Sequence, residues 1–585
     1  MKNTFFFVLS ILCHTAMAQQ KNNASILTKQ DQAILIDSSE KYFADRMEQD
    51  KIVGLSAALI IGNKVIWQKG FGFADREKKI PMTVNTVVNI GSITKTFTAL
   101  SIMQLQEQGL IDLSQPLNRY LKQFHPKLQK GFNRDQVTVK SVLTHTSGIQ
   151  SDIWKNSDLE SGKYTDVVDF INDTYLLYPP GMIGLYSNAG YNLLGHTIKE
   201  ISKEDYPSYI HKHIFSKLGM SRSGFAQDKL SNRSKLYAYG EVVKEYELRD
   251  VASGGIYTDM EDFTKYAIGL LDAYQGKNNG LIEEKTIKKM FSLQNADIPL
   301  ETNKKGLGWF MFRNDSVTAM YHAGSAGFAQ AKLLLFPEKK AAVIVMTNTA
   351  EGGSAAEEFC FDLLPRFGLS IPDLFPAPIA DRIHDSNPAI NPAKESLKAH
   401  EGNYAVSGSY VSVSSNGENL KMRNGDKLYI LKPAGRNEYI PYIVKEGDTV
   451  AENNNNRYFF RNIKGYHFLI KRIKQREYNL GYKLKPVTDE LWLDRLGLYK
   501  QSGYQMLIGD SKFKSLELYF SKDHVLMCRL KTMGSTNEIP LDVIDDHTAM
   551  SSGVNSGFGG FTVTFKKEGQ NRIADFAGIS FLKSE

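Results

Sequence analysis

Cysteine is almost absent, with three residues in a chain of 585. Cys13 lies in an N-terminal apolar segment, whereas Cys360 and Cys528 fall in segments assigned below to different domains. A disulfide framework is therefore excluded as the basis of the fold, and the two later cysteines read as buried free thiols. Leu12 is bulkier than the small residue usual before a lipid-attached cysteine, which argues against that role for Cys13. Excess charge is also scarce: 71 basic against 64 acidic residues give +7, spread without long basic runs. That balance argues against a nucleic-acid partner. After the N-terminus no apolar run is long enough to span a bilayer. Metal and phosphate signatures are missing too. His211-x-His213 is the only close histidine pair, there is no His-Glu-x-x-His, and the glycines of residues 553–560 lack phosphate-loop form. No metal and no cofactor are expected.

What is present is a soluble composition, 42% apolar and 23% charged. The length predicts roughly three to four domains. Lys2, the apolar run of residues 5–13 and Ala16-Met17-Ala18 have the form of a signal peptide over residues 1–18. The expected location is periplasmic or extracellular.

Beyond it, helical spacing of Leu35, Tyr42, Phe43 and Met47 predicts a first helix within residues 22–50. Two apolar runs around Gly62-Asn63 predict a β-hairpin over residues 54–67. Residues 306–348 read as four successive strands, followed by a helix over 355–364. Helices between an early hairpin and late strands predict an antiparallel sheet built from both ends of one domain, flanked by helices. Five prolines between Pro372 and Pro392 mark a linker, placed at residues 375–395. The remainder reads as β. Gly402-x-Tyr404-x-x-Ser407-Gly408 is echoed by Gly497-x-Tyr499-x-x-Ser502-Gly503. The echo predicts two copies of one small barrel, over residues 396–488 and 489–585. The fold class is thus an α+β domain over residues 19–374, then two small all-β barrel-like domains.

Chemistry concentrates at Asn89-Ile90-Gly91-Ser92-Ile93-Thr94-Lys95. Positions three apart share one helix face, so the Ser92 hydroxyl and the Lys95 amine are expected to meet. A serine hydroxyl needs a base within hydrogen-bond reach to become a nucleophile. A lysine serves as that base only when desolvated, because it otherwise titrates near ~10.4. Ser-x-x-Lys also occurs at Ser38–Lys41 and Ser511–Lys514 without matching context, so the motif alone carries little. His145, in Leu143-Thr144-His145-Thr146-Ser147-Gly148, has two readings: a catalytic base, or a buried histidine bonded to backbone near the site.

Three motifs stand in order: Ser92-x-x-Lys95, Tyr186-x-Asn188 and His322-x-Gly324. With Gly254-Gly255 and Gly306-Leu307-Gly308-Trp309, the set resembles the serine β-lactamase and penicillin-binding-protein superfamily over residues 22–374. The branch it resembles holds class C β-lactamases, D-aminopeptidases, D-alanyl-D-alanine carboxypeptidases and related esterases. The resemblance implies Ser92 as acylated nucleophile, with Lys95 and Tyr186 as the proton-handling pair; which of them is the acylation base stays open. It implies Asn188, His322 and Gly324 in substrate binding, and the backbone N–H groups of Ser92 and Ser325 as oxyanion hole. His322 stands where many members have lysine. The implied activity is an exported serine hydrolase working through an acyl-enzyme on small amides or esters, foremost D-amino-acid-containing or peptidoglycan-derived peptides. A class C-like β-lactamase or carboxylesterase is the alternative among enzymes, and an acylatable sensor without turnover the alternative outside them. The barrels resemble those of D-aminopeptidases, where a barrel loop restricts the substrate. The oligomeric state is not legible.

Overall fold

Gly62 and Asn63 have φ of +61° and +59°, the left-handed pair that a tight hairpin turn requires. In this computed structural model they join β1 (Gly54–Ile61) to β2 (Lys64–Asp75). The structure describes residues 27–584, except 158–161, 300, 302, 315–316, 370–393, 436, 446–447, 453–455, 474–475, 488, 503–506, 509–510, 533 and 553–558. The expected signal peptide and nearly all of the proline-rich linker lie outside the described residues.

The helix expected at the start is α1 (Lys29–Gln49), capped by Thr28 and Asp31 in a reciprocal pair. Its Leu35 and Phe43 are buried against the sheet. That sheet has seven strands. Chain order supplies β1, β2, β3 (Ile80–Pro81), β4 (Phe310–Arg313), β5 (Thr318–Ala326), β6 (Ala329–Phe336) and β7 (Ala341–Thr347). Their spatial order is β3-β2-β1-β7-β6-β5-β4. The early hairpin therefore meets the last strand, with Ala58 opposite Ile344, and the sheet is built from both ends of the domain.

Both faces are covered, which explains why β1 and β7 read as unbroken apolar runs rather than alternations. Leu59, Leu334 and Val343 face α1 and α5 (Gly352–Asp362) on one side. Ile60, Leu333 and Ile344 face the large cluster around α2 (Thr94–Glu107) on the other. Every residue of α2 from Thr94 to Leu105 is buried, so this helix runs through the domain's interior. Its hydroxyls find partners inside: Ser101 donates to the Phe97 carbonyl and Thr98 to the Ala252 carbonyl. Two further long helices, α3 (Asn188–Ser202) and α4 (Met260–Tyr274), pack in the same layer.

The C-terminal half holds two closed eight-stranded barrels. In the first, strands from β8 (Gly402–Val406) to β9 (Arg476–Lys483) close into a ring where Lys427–Gly435 pairs with Glu438–Lys445; Asp448–Ala451 is an extra strand on its side. The second runs from β10 (Gly497–Gln501) to β11 (Ile579–Lys583). The sequence echo is a structural repeat. Tyr404 opens one barrel and Tyr499 the other; both rings are buried, and their hydroxyls donate 2.7 Å bonds to the carbonyls of His400 and Arg495, four residues upstream. Each tyrosine pairs with the lysine that ends its barrel, Lys483 or Lys583, and each lysine bonds a carbonyl of the segment before the first strand. Cys360 and Cys528 are buried free thiols in different domains. One apolar cluster joins the three units: Leu177, Tyr178 and Met182 meet Phe468 and Tyr482 of the first barrel and Met527 and Met550 of the second.

Removing either repeated hydroxyl leaves a carbonyl without its donor at the mouth of a barrel. Tyr404→Phe and Tyr499→Phe are each expected to lower stability by about 1 kcal/mol. Urea unfolding followed by fluorescence checks this, and unchanged midpoints in both variants contradict the reading.

Candidate active site

Ser92 sits in a single turn (Gly91–Ile93) that enters α2, and Lys95 in the first turn of α2 itself. The Lys95 Nζ donates to Ser92 Oγ at 3.0 Å, to Asn188 Oδ1 at 2.5 Å and to the Ser253 carbonyl at 2.7 Å. As an ammonium it uses all three protons. As a neutral amine it keeps two, for Asn188 and Ser253, and turns a lone pair to the Ser92 hydroxyl. Lys95 is 0% exposed. Burial depresses its pKa from 10.5 to about 7, opposed only in part by the charges of Asp152 and Asp250. Holding the amine there costs the folded protein roughly 5 kcal/mol.

Tyr186 lies over this lysine, its ring centroid 4.9 Å from Nζ, and its hydroxyl bonds Ser92. Burial raises its phenol above the ordinary tyrosine range, a shift the Ser92 bond partly offsets. Its ring packs against His145, tilted by 30° with centroids 4.3 Å apart, and lies nearly parallel to Phe310 at 6.5 Å. His145 accepts the Ser187 backbone N–H on Nδ1, so the ring proton is on Nε2. Burial pushes its pKa well below 6.5. Of its two readings, the buried histidine bonded to backbone is the one observed.

The strand β5 passes close over the Ser92 turn. A Cβ on Gly324 would lie 1.8 Å from the Ile90 carbonyl oxygen, and a Cβ on Gly91 2.5 Å from the Ser325 nitrogen. Gly91 also has φ of +51°. Two bare backbones thus bring the amides of Ser92 and Ser325 side by side. β4 pairs with β5 only as far as Tyr321, so residues 322–326 keep one edge without a strand partner among the described residues. His322, on this strand, is 2% exposed. Its Nδ1–H donates to the Ala323 carbonyl at 2.7 Å. Burial first, then the charge of Lys95, drives its pKa down to about 3. The imidazole is neutral at working pH and supplies no fixed cation in place of the lysine.

A cavity of about 260 Å³ opens at Ser92, walled by Asn188, Trp154, Leu248, Phe328 and two carboxylates, Asp152 and Asp250. Tyr186, Lys95, His322 and Gly324 stand beneath or beside it rather than in its wall. Asn188 donates its Nδ2–H to Asp152 Oδ2 at 2.9 Å, which points its oxygen at Lys95. Burial, and then Asp250, raise the Asp152 pKa well above the carboxylate range. Arg249, fully buried, pairs with Asp250 and donates to the carbonyls of Ile153 and Lys155. Sequence reading missed Asp152, Arg249, Asp250 and the Ser253 carbonyl. The available signals were the polar run Gln150-Ser151-Asp152 after Ile149, and an Arg-Asp pair just before Gly254-Gly255. His211 and His213 do not converge on one site; they face Asp228 and Glu204.

Fold and site together define the class of serine β-lactamase and penicillin-binding-protein-like hydrolases. A family model described as Beta-lactamase matches residues 40–362, and the chain belongs to that family. Protein flp of Staphylococcus aureus strain MRSA252 is 28% identical over 318 residues, 52% of this chain and 60% of that protein. The putative penicillin-binding protein PbpX of Bacillus subtilis strain 168 is 31% identical over 271 residues, 45% of this chain and 63% of that protein. The chain thus spans about three-fifths of the length of the curated relatives it matches. Among solved structures, SurE with D-Leu has a TM-score of 0.54 at 20% identity, over 77% of this chain and 100% of that one. The octameric penicillin-binding protein homologue from Pyrococcus abyssi has 0.50 at 24%, with the same coverage of both chains. Both share the fold.

Ser92→Ala and Lys95→Met are each expected to reduce turnover at least about 10³-fold, and Tyr186→Phe at least about 10²-fold, with the fold intact. Gly324→Ala, which must displace either β5 or the Ser92 turn, is expected to cost about 10²-fold. Steady-state hydrolysis with circular dichroism as the control checks all four; near-normal rates for the first three contradict the assignment.

Proposed function

We propose that this protein is an exported serine hydrolase that works through a Ser92 acyl-enzyme on small amides or esters, foremost D-amino-acid-containing or peptidoglycan-derived peptides. One observation carries the reading: a buried amine, depressed to about 7, lies 3.0 Å from the serine hydroxyl. Neutral Lys95 takes the Ser92 proton as Oγ attacks the substrate carbonyl carbon. The carbonyl oxygen gains the negative charge, and the amides of Ser92 and Ser325 are placed to receive it. Collapse breaks the bond to the amine or alcohol. Tyr186, kept protonated by its raised pKa, gives its proton to that leaving group and regains one from Lys95. Water then attacks the ester, and the acid leaves as Ser92 recovers its proton.

Of the two candidate bases, the pKa directions favour Lys95, since the Tyr186 phenol is pushed away from neutrality. The neutral His322 favours substrates recognised without a carboxylate at the third motif, which supports amides and esters over classical penicillins. The penicillin-binding relative and the fold shared with a D-Leu complex are consistent with substrates of D configuration. Export rests on the signal-peptide form of residues 1–18.

The test is a paired screen of D- and L-aminoacyl amides and short esters, with a penicillin as third class. D-Aminoacyl substrates are expected to exceed their L-isomers in kcat/KM by about 10-fold or more. Equal rates for the two isomers, or a penicillin turned over fastest, contradict the substrate assignment.

A further inference from the structure

Asp152 reaches the site on a loop, residues 150–155, that both the hydrolase domain and the second barrel grip. On the domain side the Ser151 carbonyl accepts the backbone N–H groups of Asn188 and Ala189, the first turn of α3, at 2.8 and 3.2 Å. Ser187 Oγ donates to the Gln150 carbonyl, and Arg249 bonds the carbonyls of Ile153 and Lys155. On the barrel side the Ser151 N–H donates to the Gly560 carbonyl at 3.0 Å and the Trp154 N–H to the Ala577 carbonyl at 2.7 Å. Thr562 Oγ1 donates to Gln150 Oε1 at 2.9 Å. The Trp154 ring sits in the barrel's own core, with ring centroids 4.8 Å from Phe561, 5.4 Å from Phe513 and 6.0 Å from Phe576. Gly578 leaves no gap: a Cβ there would lie 2.7 Å from the Lys155 nitrogen.

A primary amide has one acceptor end and one donor end, and rotation by half a turn exchanges them. Were Asn188 turned, it would present N–H groups to the Lys95 amine and take away the acceptor at 2.5 Å. Asp152, an acceptor-only group when ionised, sits at the other end of this amide and selects the productive turn. We propose that the second barrel is a working part of the catalytic site: its segments 560–562 and 577–578 hold the 150–155 loop so that Asp152 fixes Asn188 with its oxygen toward Lys95. Asp152 is then a positioning residue, acting on Ser92 through Asn188 and Lys95. Its hold depends on residues more than 400 positions away in the chain.

This inference rests on the reading of Ser92 as nucleophile, and the test separates the two. The full chain and four variants are treated with a fluorophosphonate, and Ser92 labelling is followed by intact mass. Gly578→Ala, which pushes on Lys155, is expected to slow labelling about 10- to 100-fold, and Thr562→Val, which removes one bond of the grip, about threefold to tenfold. Asp152→Ala is expected to slow it about 10-fold or more, and Asp152→Asn to recover most of that loss, because a side-chain amide oxygen accepts the same bond. A purely structural role for the residue does not distinguish these two variants. If Gly578→Ala fails to fold, Thr562→Val and the Asp152 pair still decide the matter. Labelling at the wild-type rate in folded Thr562→Val and Asp152→Ala overturns the proposal and leaves the nucleophile standing. Asp152→Asn as slow as Asp152→Ala overturns the orienting role. An unlabelled wild-type chain overturns the functional reading together with this one.

Discussion

The desolvation of one ammonium group organises the hydrolase domain. Lys95 lies on a helix buried along almost its whole length, with no solvent reaching its amine. An isolated charge there is expensive, and the protein meets part of that cost with acceptors from three places: the Ser92 turn, the start of α3 and the backbone at Ser253. Two carboxylates further off keep the amine from losing its proton altogether. The result is a lysine whose proton is loosely held, next to the serine that the proposed reaction deprotonates. Asn188 and the Ser253 carbonyl hold the amine in both of its protonation states, and so keep its third position turned to Ser92.

Close approach is the second constraint. Gly91 and Gly324 allow two backbones to touch beside Ser92, and among the described residues the hydrogen-bonding edge of β5 is left open beside them. The two barrels bear on the same region. The first shares an apolar cluster with residues 177–183, and the second takes Trp154 into its core. The loop that carries Trp154 also carries Asp152 to the cavity, so the β-rich half of the chain is joined to the candidate site by ordinary packing and main-chain hydrogen bonds.

What the sequence made legible is what local physics determines. The Gly62-Asn63 turn, the four late strands and the meeting of Ser92 with Lys95 all follow from spacing, propensity and turn chemistry. The barrel repeat was visible because each copy needs a buried tyrosine bonded to the carbonyl four residues earlier. What stayed hidden depends on distant chain segments. Nothing near Asp152 in sequence announces that Asn188 and Asp250 will lie close to it, or that a barrel at residues 560–578 will hold its loop. His322 shows the same limit. Its place in the third motif says nothing of its charge, which is decided by burial and by a lysine that the fold brings near.

The most direct test of the central claim is the rate of Ser92 modification as a function of pH, under conditions where binding of the reagent is not pH-dependent. A depressed Lys95 predicts a rate that rises with pH and is half-maximal near 7, falling at lower pH as the amine takes up its proton. A rate still climbing toward pH 10, as for an ordinary lysine, or one that is flat across the range, contradicts the account.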